Sequence, residues 1–108
     1  MTWTVLLRPS TRDDLKAFDK KTRRLLAEET LSRLAADPLT ECRNLKTLDP
    51  NPIAQKQLRL FGKYRVLFNV DEPSQTVEVV VIGEKRREKL FVGGKEYTHH
   101  ESDPAARS

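Results

Sequence analysis

The 108-residue chain is poor in cysteine, in aromatic residues and in long apolar runs, and these shortages exclude several classes of protein. Cys42 is the single cysteine, so neither an internal disulfide nor a cysteine-rich zinc site can form. No apolar stretch approaches the roughly 18 residues that span a bilayer. The first residues also lack the basic and apolar regions of a secretory signal. We therefore expect a soluble, cytoplasmic protein with no membrane partner and no bound metal.

The charge balance is mildly basic. Lysine and arginine number 20 against 16 acidic residues, which gives a net charge of +4. Such a surplus favours polyanionic partners, although an ordinary solvated surface also carries charges in this balance. With 37% hydrophobic and 33% charged residues, the composition is that of one small globular domain.

The first third of the chain predicts one strand and two helices. Apolar residues alternate from Trp3 to Leu7, which is typical of a short strand, and Pro9 ends it. Ser10 or Thr11 is then expected to cap a short helix. A bend at residues 19–21 leads into a longer helix that ends near Ala36. The expected core residues of this part are Trp3, Phe18, Leu25 and Leu26.

The remainder predicts an antiparallel meander. Residues 39–54 are rich in proline and turn-forming residues and are expected to be irregular. Strands are expected at residues 55–61, 64–70 and 76–82, with a last short strand at residues 91–92. The predicted fold is therefore α+β: an N-terminal strand, a two-helix hairpin and a meander of three to four strands, with the helices on one sheet face. We expect a single domain over residues 1–94 and a polar, partly disordered tail over residues 95–108.

The strand at residues 64–70 carries an arginine that its apolar pattern does not explain. Tyr64, Val66 and Phe68 alternate on the side expected to face the helices. Arg65 then lies on the opposite side. We expect that side of the sheet to be uncovered and basic, with these residues exposed on it: Gln55, Gln57, Arg59, Arg65 and Asn69.

In the order of its elements and in several strings of residues, the chain resembles the RelE/ParE family of bacterial toxin–antitoxin systems. The matching strings are Asn44-Leu45-Lys46, Leu58-Arg59, Lys63-Tyr64-Arg65-Val66-Leu67-Phe68, Val80-Val81-Ile82-Gly83, Lys85-Arg86-Arg87-Glu88, and Leu34-Ala35-Ala36-Asp37-Pro38-Leu39. The resemblance extends from about Trp3 to Phe91.

The resemblance implies a toxin that a cognate antitoxin protein neutralises. RelE-like members bind the ribosome and cleave mRNA without a metal or other cofactor. ParE-like members instead poison DNA gyrase. The fold alone does not distinguish these two activities.

The resemblance also implies roles for several basic residues. Cleavage of RNA needs stabilisation of the charge that develops on the phosphate, and Arg65 matches a functional arginine of RelE-like toxins. Lys85 or Arg86 matches a second phosphate-contacting residue, and the spacing does not decide between them. Further contacts to RNA are expected from Arg59, Lys63, Arg87 and Gln57. Alternatively, Arg65 pairs with a carboxylate such as Glu78, and residues 85–87 form a solvated turn.

Three positions depart from the RelE pattern. Gln55 and Gln57 stand near the positions where RelE has lysines, and Phe91 lacks the hydroxyl of the matching tyrosine. His99 and His100 follow the last predicted strand and are candidates for acid–base catalysis, or else they are solvated.

These departures keep a different class of function open. The alternative is a non-enzymatic ParE-like toxin that binds gyrase, or a non-toxic member that acts as a protein-binding module. A general RNA-binding domain is a third possibility, but the chain lacks the aromatic stacking pattern of such modules.

Overall fold

The computed structural model describes residues 2–97, which form two helices and seven strands. In chain order these elements are β1 (Thr4–Leu7), α1 (Pro9–Leu15), α2 (Lys20–Ala36), β2 (Leu45–Thr47), β3 (Lys56–Leu60), β4 (Tyr64–Asp71), β5 (Thr76–Arg86), β6 (Lys89–Val92) and β7 (Lys95–Glu96). Neither described helix combines the length and the apolar character that crossing a membrane requires.

All seven strands belong to one sheet. Strands β2 to β7 lie side by side in chain order and are antiparallel, while β1 pairs in parallel with the first half of β5. The predicted meander is confirmed by the pairs β3–β4 and β4–β5. Two expectations are wrong in extent. The region of residues 39–54 contains strand β2, and β5 continues past Ile82 to Arg86.

The short helix begins earlier than the sequence indicates. Arg8, rather than Ser10 or Thr11, occupies the capping position, and Pro9 is the first helical residue. Proline suits this position because its fixed φ is helical and its missing N–H has no partner there in any helix. The Thr11 hydroxyl instead donates a hydrogen bond back to the Arg8 carbonyl, 2.6 Å away. The change of direction after β1 is therefore fixed by a Pro-initiated turn.

The long helix ends where the sequence predicts, and its buried stripe follows a four-residue spacing. Leu26, Thr30 and Leu34 are the buried residues of α2. The expectation that Leu25 belongs to the core is wrong, since it is 45% exposed. Residues spaced by four lie above one another on a helix, and Leu25 falls beside that row. Asp37 leaves the helix in an extended conformation ahead of Pro38.

Asp19 caps α2, and its removal is expected to destabilise the protein in a pH-dependent way. The Thr22 N–H donates to the Asp19 carboxylate at 2.7 Å, and this bond is the main reason that the pKa of Asp19 lies below its usual value. A lowered pKa contributes stability while the group is ionised, and that contribution is lost as the pH falls through the lowered value. We expect Asp19→Ala to lower the urea midpoint at neutral pH, with the difference from wild type shrinking in acid. Asp19→Asn keeps the acceptor without titrating, so its stability should depend less on pH. Equal midpoints for wild type and Asp19→Ala at neutral pH would contradict this role.

The main hydrophobic core lies between the helices and one side of the sheet, which we call the helix face. It buries residues from both helices and from β2 to β5: Leu15, Leu26, Leu34, Leu45, Leu58, Leu60, Val66, Phe68, Val77, Val79 and Ile82. Trp3 and Phe18 pack against this cluster, as expected from the sequence.

The opposite side of the sheet, which we call the outer face, carries a second apolar cluster. Its buried members are Ala54, Leu67, Val80 and Val81, and the residues packed against them are Leu48, Ile53, Leu90, Val92 and Tyr97. The expectation of an uncovered outer face is therefore wrong. The covering residues come from the loop before β3 and from the C-terminal hairpin. The sequence of these segments has no alternating pattern that would predict their burial. The fold also continues past residue 94, since β7 pairs with β6 and Tyr97 joins this cluster.

Two irregularities of β5 shape the outer face. Leu67 pairs with Val81 whereas Phe68 pairs with Val79, so Val80 is an extra residue in β5. This bulge places two consecutive valines in the outer cluster. Further along, Gly83 allows β6 to approach closely, since a Cβ there would lie 2.5 Å from the Phe91 carbonyl oxygen.

Candidate anion-binding site

Two arginines lie directly opposite each other on neighbouring strands of the outer face. Arg59 of β3 pairs with Arg65 of β4 in the antiparallel register. Directly opposite residues point to the same side of a sheet and have Cβ atoms about 5 Å apart. Leu58 and Leu60 belong to the core on the helix face, so alternation places this arginine pair on the outer face.

Arg65 is held in place by the hairpin that connects its strand to β3. Its Nη1 donates to the carbonyl oxygens of Gly62 and Tyr64, at 3.3 and 3.2 Å. These bonds use Nη1 alone, so Nε and Nη2 have no acceptor among residues 2–97. The residue is only 9% exposed, whereas the sequence predicted an exposed guanidinium. The side chain is therefore fixed and partly buried, with part of its donor set uncommitted.

No carboxylate among residues 2–97 forms an ion pair with either arginine of the pair. None of the ion pairs within the described part of the chain involves Arg59 or Arg65, and the Glu78 carboxylate is bound by Arg8 instead. The alternative pairing of Arg65 with Glu78 is thus wrong. Burial, and then the charge of Arg59, lower the pKa of Arg65. The buried Nε of Arg59 makes no hydrogen bond to any described residue. An anion between the two guanidinium groups would relieve their repulsion and accept hydrogen bonds from the N–H groups that have no acceptor among the described residues.

The register of β5 separates the two candidates for the second cation. Gly83 pairs with Arg65, so Lys85, two residues further along the strand, lies on the same outer face. Lys85 pairs with Leu90 of β6, which packs against the outer cluster. Arg86 has the opposite parity and lies on the helix face. The structure therefore brings Lys85, rather than Arg86, to the side of the sheet that carries Arg65.

On the helix face, Glu84 forms ion pairs with two of the other predicted cations. Its carboxylate lies 3.1 Å from Nη2 of Arg86 and 3.5 Å from Nζ of Lys63. Arg86 also stacks on the ring of Phe91, 4.8 Å from its centroid. Lys63 and Arg86 therefore each have a protein partner and do not join the arginine pair.

The turn between β5 and β6 holds Arg87 in a strained conformation. Arg87 and Glu88 have φ angles of 48° and 73°, in the left-handed region where glycine and asparagine are usual. Glycine at either position would relieve this strain, so the backbone gives no reason for an arginine here. Arg87 is exposed at the tip of the hairpin, so its side chain rather than its backbone is the candidate for a function.

Comparison with solved structures identifies proteins of the same fold. A chain of the toxin–antitoxin complex RelBE2 from Mycobacterium tuberculosis superimposes with a TM-score of 0.68 at 24% identity, covering 79% of this chain and 93% of that one. A chain of the archaeal RelE–RelB complex from Pyrococcus horikoshii gives 0.63 at 20% identity, covering 81% and 99%. The isolated RelE toxin of E. coli gives 0.57 at 17% identity, covering 97% of each chain. No family model matches the chain, and no match to a curated protein reaches significance.

The chain has the fold of RelE toxins. The fold that the sequence resemblance implied is thereby confirmed. At these identities the agreement concerns the fold, and the residues of the site must be judged from their own geometry.

Within this RelE fold, the two glutamines that replace expected lysines have different surroundings. The Gln55 side-chain oxygen accepts from the Val70 N–H at 2.8 Å, and the Gln55 backbone N–H donates to the Asn69 side-chain oxygen at 2.8 Å. Gln55 and Asn69 therefore extend the β3–β4 ladder and are not free to bind RNA. Gln57 lies on the outer face, one row from the arginine pair.

Lys46 is a cation of the outer face that the sequence analysis missed. It pairs with Gln57 in the β2–β3 register and is exposed. Directly opposite residues share a face, so Lys46 extends the row of positive charge toward the edge of the sheet. It was missed because β2 is only three residues long and lies between turn-forming segments. Knowledge of that strand would have been enough to find it.

Two further candidates fall outside the part of the chain that the structure describes. His99 and His100 follow Tyr97, the last described residue, and their role stays a prediction. Between residues 2 and 97, no three side chains of the metal-binding types come together.

Proposed function

We propose that this protein is the toxin of a type II toxin–antitoxin pair and that it inhibits translation by cleaving ribosome-bound mRNA. The site of cleavage is the outer face around Arg59, Arg65 and Lys85. The observation that carries the proposal is the cross-strand arginine pair, which has no carboxylate partner in the described part of the chain. Buried like charges are costly unless a ligand compensates them, and the phosphate of RNA supplies the opposite charge in a geometry that guanidinium binds.

Each cation has a distinct task in this proposal. Arg65, fixed through Nη1, holds the scissile phosphate and stabilises the charge that develops on it. Arg59 and Lys85 bind the same phosphate or the one beside it. Arg87 and Lys46 contact the backbone on either side, as phosphate contacts that position the strand without selecting a sequence.

We further propose that the partners are a cognate antitoxin protein, the ribosome and mRNA, and that the protein acts in the cytoplasm. Two of the solved structures that share its fold are toxin–antitoxin complexes. An antitoxin that places acidic groups on the arginine pair would compete directly with RNA.

The second candidate function is a non-enzymatic toxin that binds DNA gyrase. The observation that favours it is the chemistry of the outer face. On the outer face, Gln57 stands where a lysine was expected. Phe91 stands where a tyrosine was expected, but it lacks a hydroxyl and its register places it on the helix face. RNA cleavage needs proton transfer to and from the ribose and the leaving oxygen.

Induced expression in a bacterial host, with mapping of mRNA 5′ ends, distinguishes the two candidates. We expect new ends within translated messages soon after induction. Lys85→Ala should reduce these cuts more strongly than Arg86→Ala, since Arg86 is bound to Glu84 on the other side of the sheet. Growth arrest with linearised DNA and no new mRNA ends would overturn the nuclease proposal in favour of gyrase poisoning. Equal losses in the two variants would contradict the assignment of Lys85.

A further inference from the structure

A cavity of about 380 Å³ opens on the outer face beside the bulge of β5. The consecutive valines of the bulge, Val80 and Val81, form its apolar floor, and Val92 of β6 adds a third side. Asp14, Asn69 and Tyr97 are among the polar residues that line it. The cavity thus combines an apolar patch with several polar groups that could orient a bound molecule.

The most distinctive polar group of this cavity is the Asp14 carboxylate. One of its oxygens, Oδ2, accepts from the Ile82 N–H at 3.1 Å, which anchors the side chain against β5. No ion pair within the described residues involves Asp14, and Arg8, which also lines the cavity, is bound to Glu78. Burial raises the pKa of Asp14 above its usual value. A part-buried carboxylate without a cation favours a ligand that brings a hydrogen-bond donor.

The cavity is adjacent to the arginine pair. Val81 lies two residues before Gly83, about 7 Å along the strand, and Gly83 pairs with Arg65. Val92 borders both places, since its Cγ2 would lie 2.9 Å from a Cβ at Gly83. One nucleotide with its phosphate at Arg65 can therefore extend its base toward the cavity.

We propose that this cavity binds an RNA base that carries an exocyclic amino group, such as cytosine. The ring lies on the valine floor and the amino N–H donates to the Asp14 carboxylate, a pairing that carboxylates make with cytosine in nucleic-acid complexes. Uracil presents a carbonyl oxygen at the same position, and this oxygen repels the carboxylate. The inference rests on the proposed function in that it takes RNA as the substrate.

The test compares cytidine with uridine on the wild-type protein, followed by the methyl resonances of Val80, Val81 and Val92. We expect cytidine to perturb these methyls and to bind about tenfold more tightly than uridine, the usual value of one hydrogen bond to a charged group. Asp14→Asn can still accept from the Ile82 N–H through Oδ1, which leaves its NH2 donor facing the ligand, so it should fold and lose or reverse the preference. Asp13→Asn is the matched control and should keep the preference, because Asp13 pairs with Lys16.

The nucleosides carry no phosphate, so this test is independent of the arginine pair. Arg65→Ala should leave cytidine binding unchanged even if it abolishes RNA cleavage. Equal affinity for the two nucleosides, or no response of the three valines, would overturn the inference without affecting the proposed nuclease. Cytidine binding by a protein that makes no cuts in mRNA would overturn the nuclease and leave the base site in place.

Discussion

Under the proposed function, Arg65→Ala is expected to abolish growth arrest and to slow cleavage of ribosome-bound mRNA by about a hundredfold or more. The reason is that, among the described cations of the outer face, this guanidinium is the one held by hydrogen bonds to two backbone carbonyls. Arg65→Lys should recover only part of the activity, since an ammonium group keeps the charge but loses the planar donor set. The measurements are growth after induction and the rate of cleavage of a programmed ribosome complex.

The fold should tolerate Arg65→Ala, because removing one of two opposed arginines also removes their repulsion. The urea midpoint of the variant should therefore stay close to that of wild type. Arg24→Ala is a suitable control, as Arg24 is an exposed residue of α2 that pairs with Glu28. Full toxicity of Arg65→Ala would contradict the proposed site.

Gly83→Ala is expected to cost about 1–3 kcal/mol of the free energy of unfolding, the usual penalty for overpacking. A Cβ at this position would lie 2.5 Å from the Phe91 carbonyl and 3.1 Å from Leu90 Cδ1, so β6 would have to move away from β5. The C-terminal hairpin carries part of the outer cluster, and its displacement would expose Val80 and Val81. Urea unfolding measures the loss, and hydrogen exchange of the β6 amides should show where it occurs.

The control for Gly83→Ala is Gly94→Ala. Gly94 has a φ of 83°, and a Cβ there would meet nothing within 4 Å. This substitution strains the backbone but leaves β6 in place, so hydrogen exchange of β6 should change little. Unchanged exchange in Gly83→Ala as well would refute the role of Gly83 as a spacer.

The strands and helices with a clear period could be predicted from the sequence. The alternation in β4 placed Val66 and Phe68 in the main core and Arg65 on the other face, and the structure agrees. The end of α2 followed from the Asp37–Pro38 pair. These elements were predictable because one local rule determines each of them.

The side of the sheet on which each basic residue lies could not be predicted. Gly83 and the charged residues after it suggested a loop, and a loop defines no faces. Only the continuation of β5 to Arg86 gives Lys85 and Arg86 opposite sides. The second apolar cluster was missed for a related reason, since it joins Ile53, Leu90 and Tyr97 from segments that have no common period.

The pairing of the first strand with the fifth has a consequence for the synthesis of the protein. Strand β1 pairs with β5, with Thr4 beside Thr76, so β1 cannot join the sheet until β5 has left the ribosomal exit tunnel. Arg59 and Arg65 are translated before that point, and they are held by a finished sheet only after it. A nascent chain therefore carries the basic residues before it has the framework that aligns them. Under the proposed function, the ribosome that makes this protein is spared by it until β5 has been synthesised and has paired with β1.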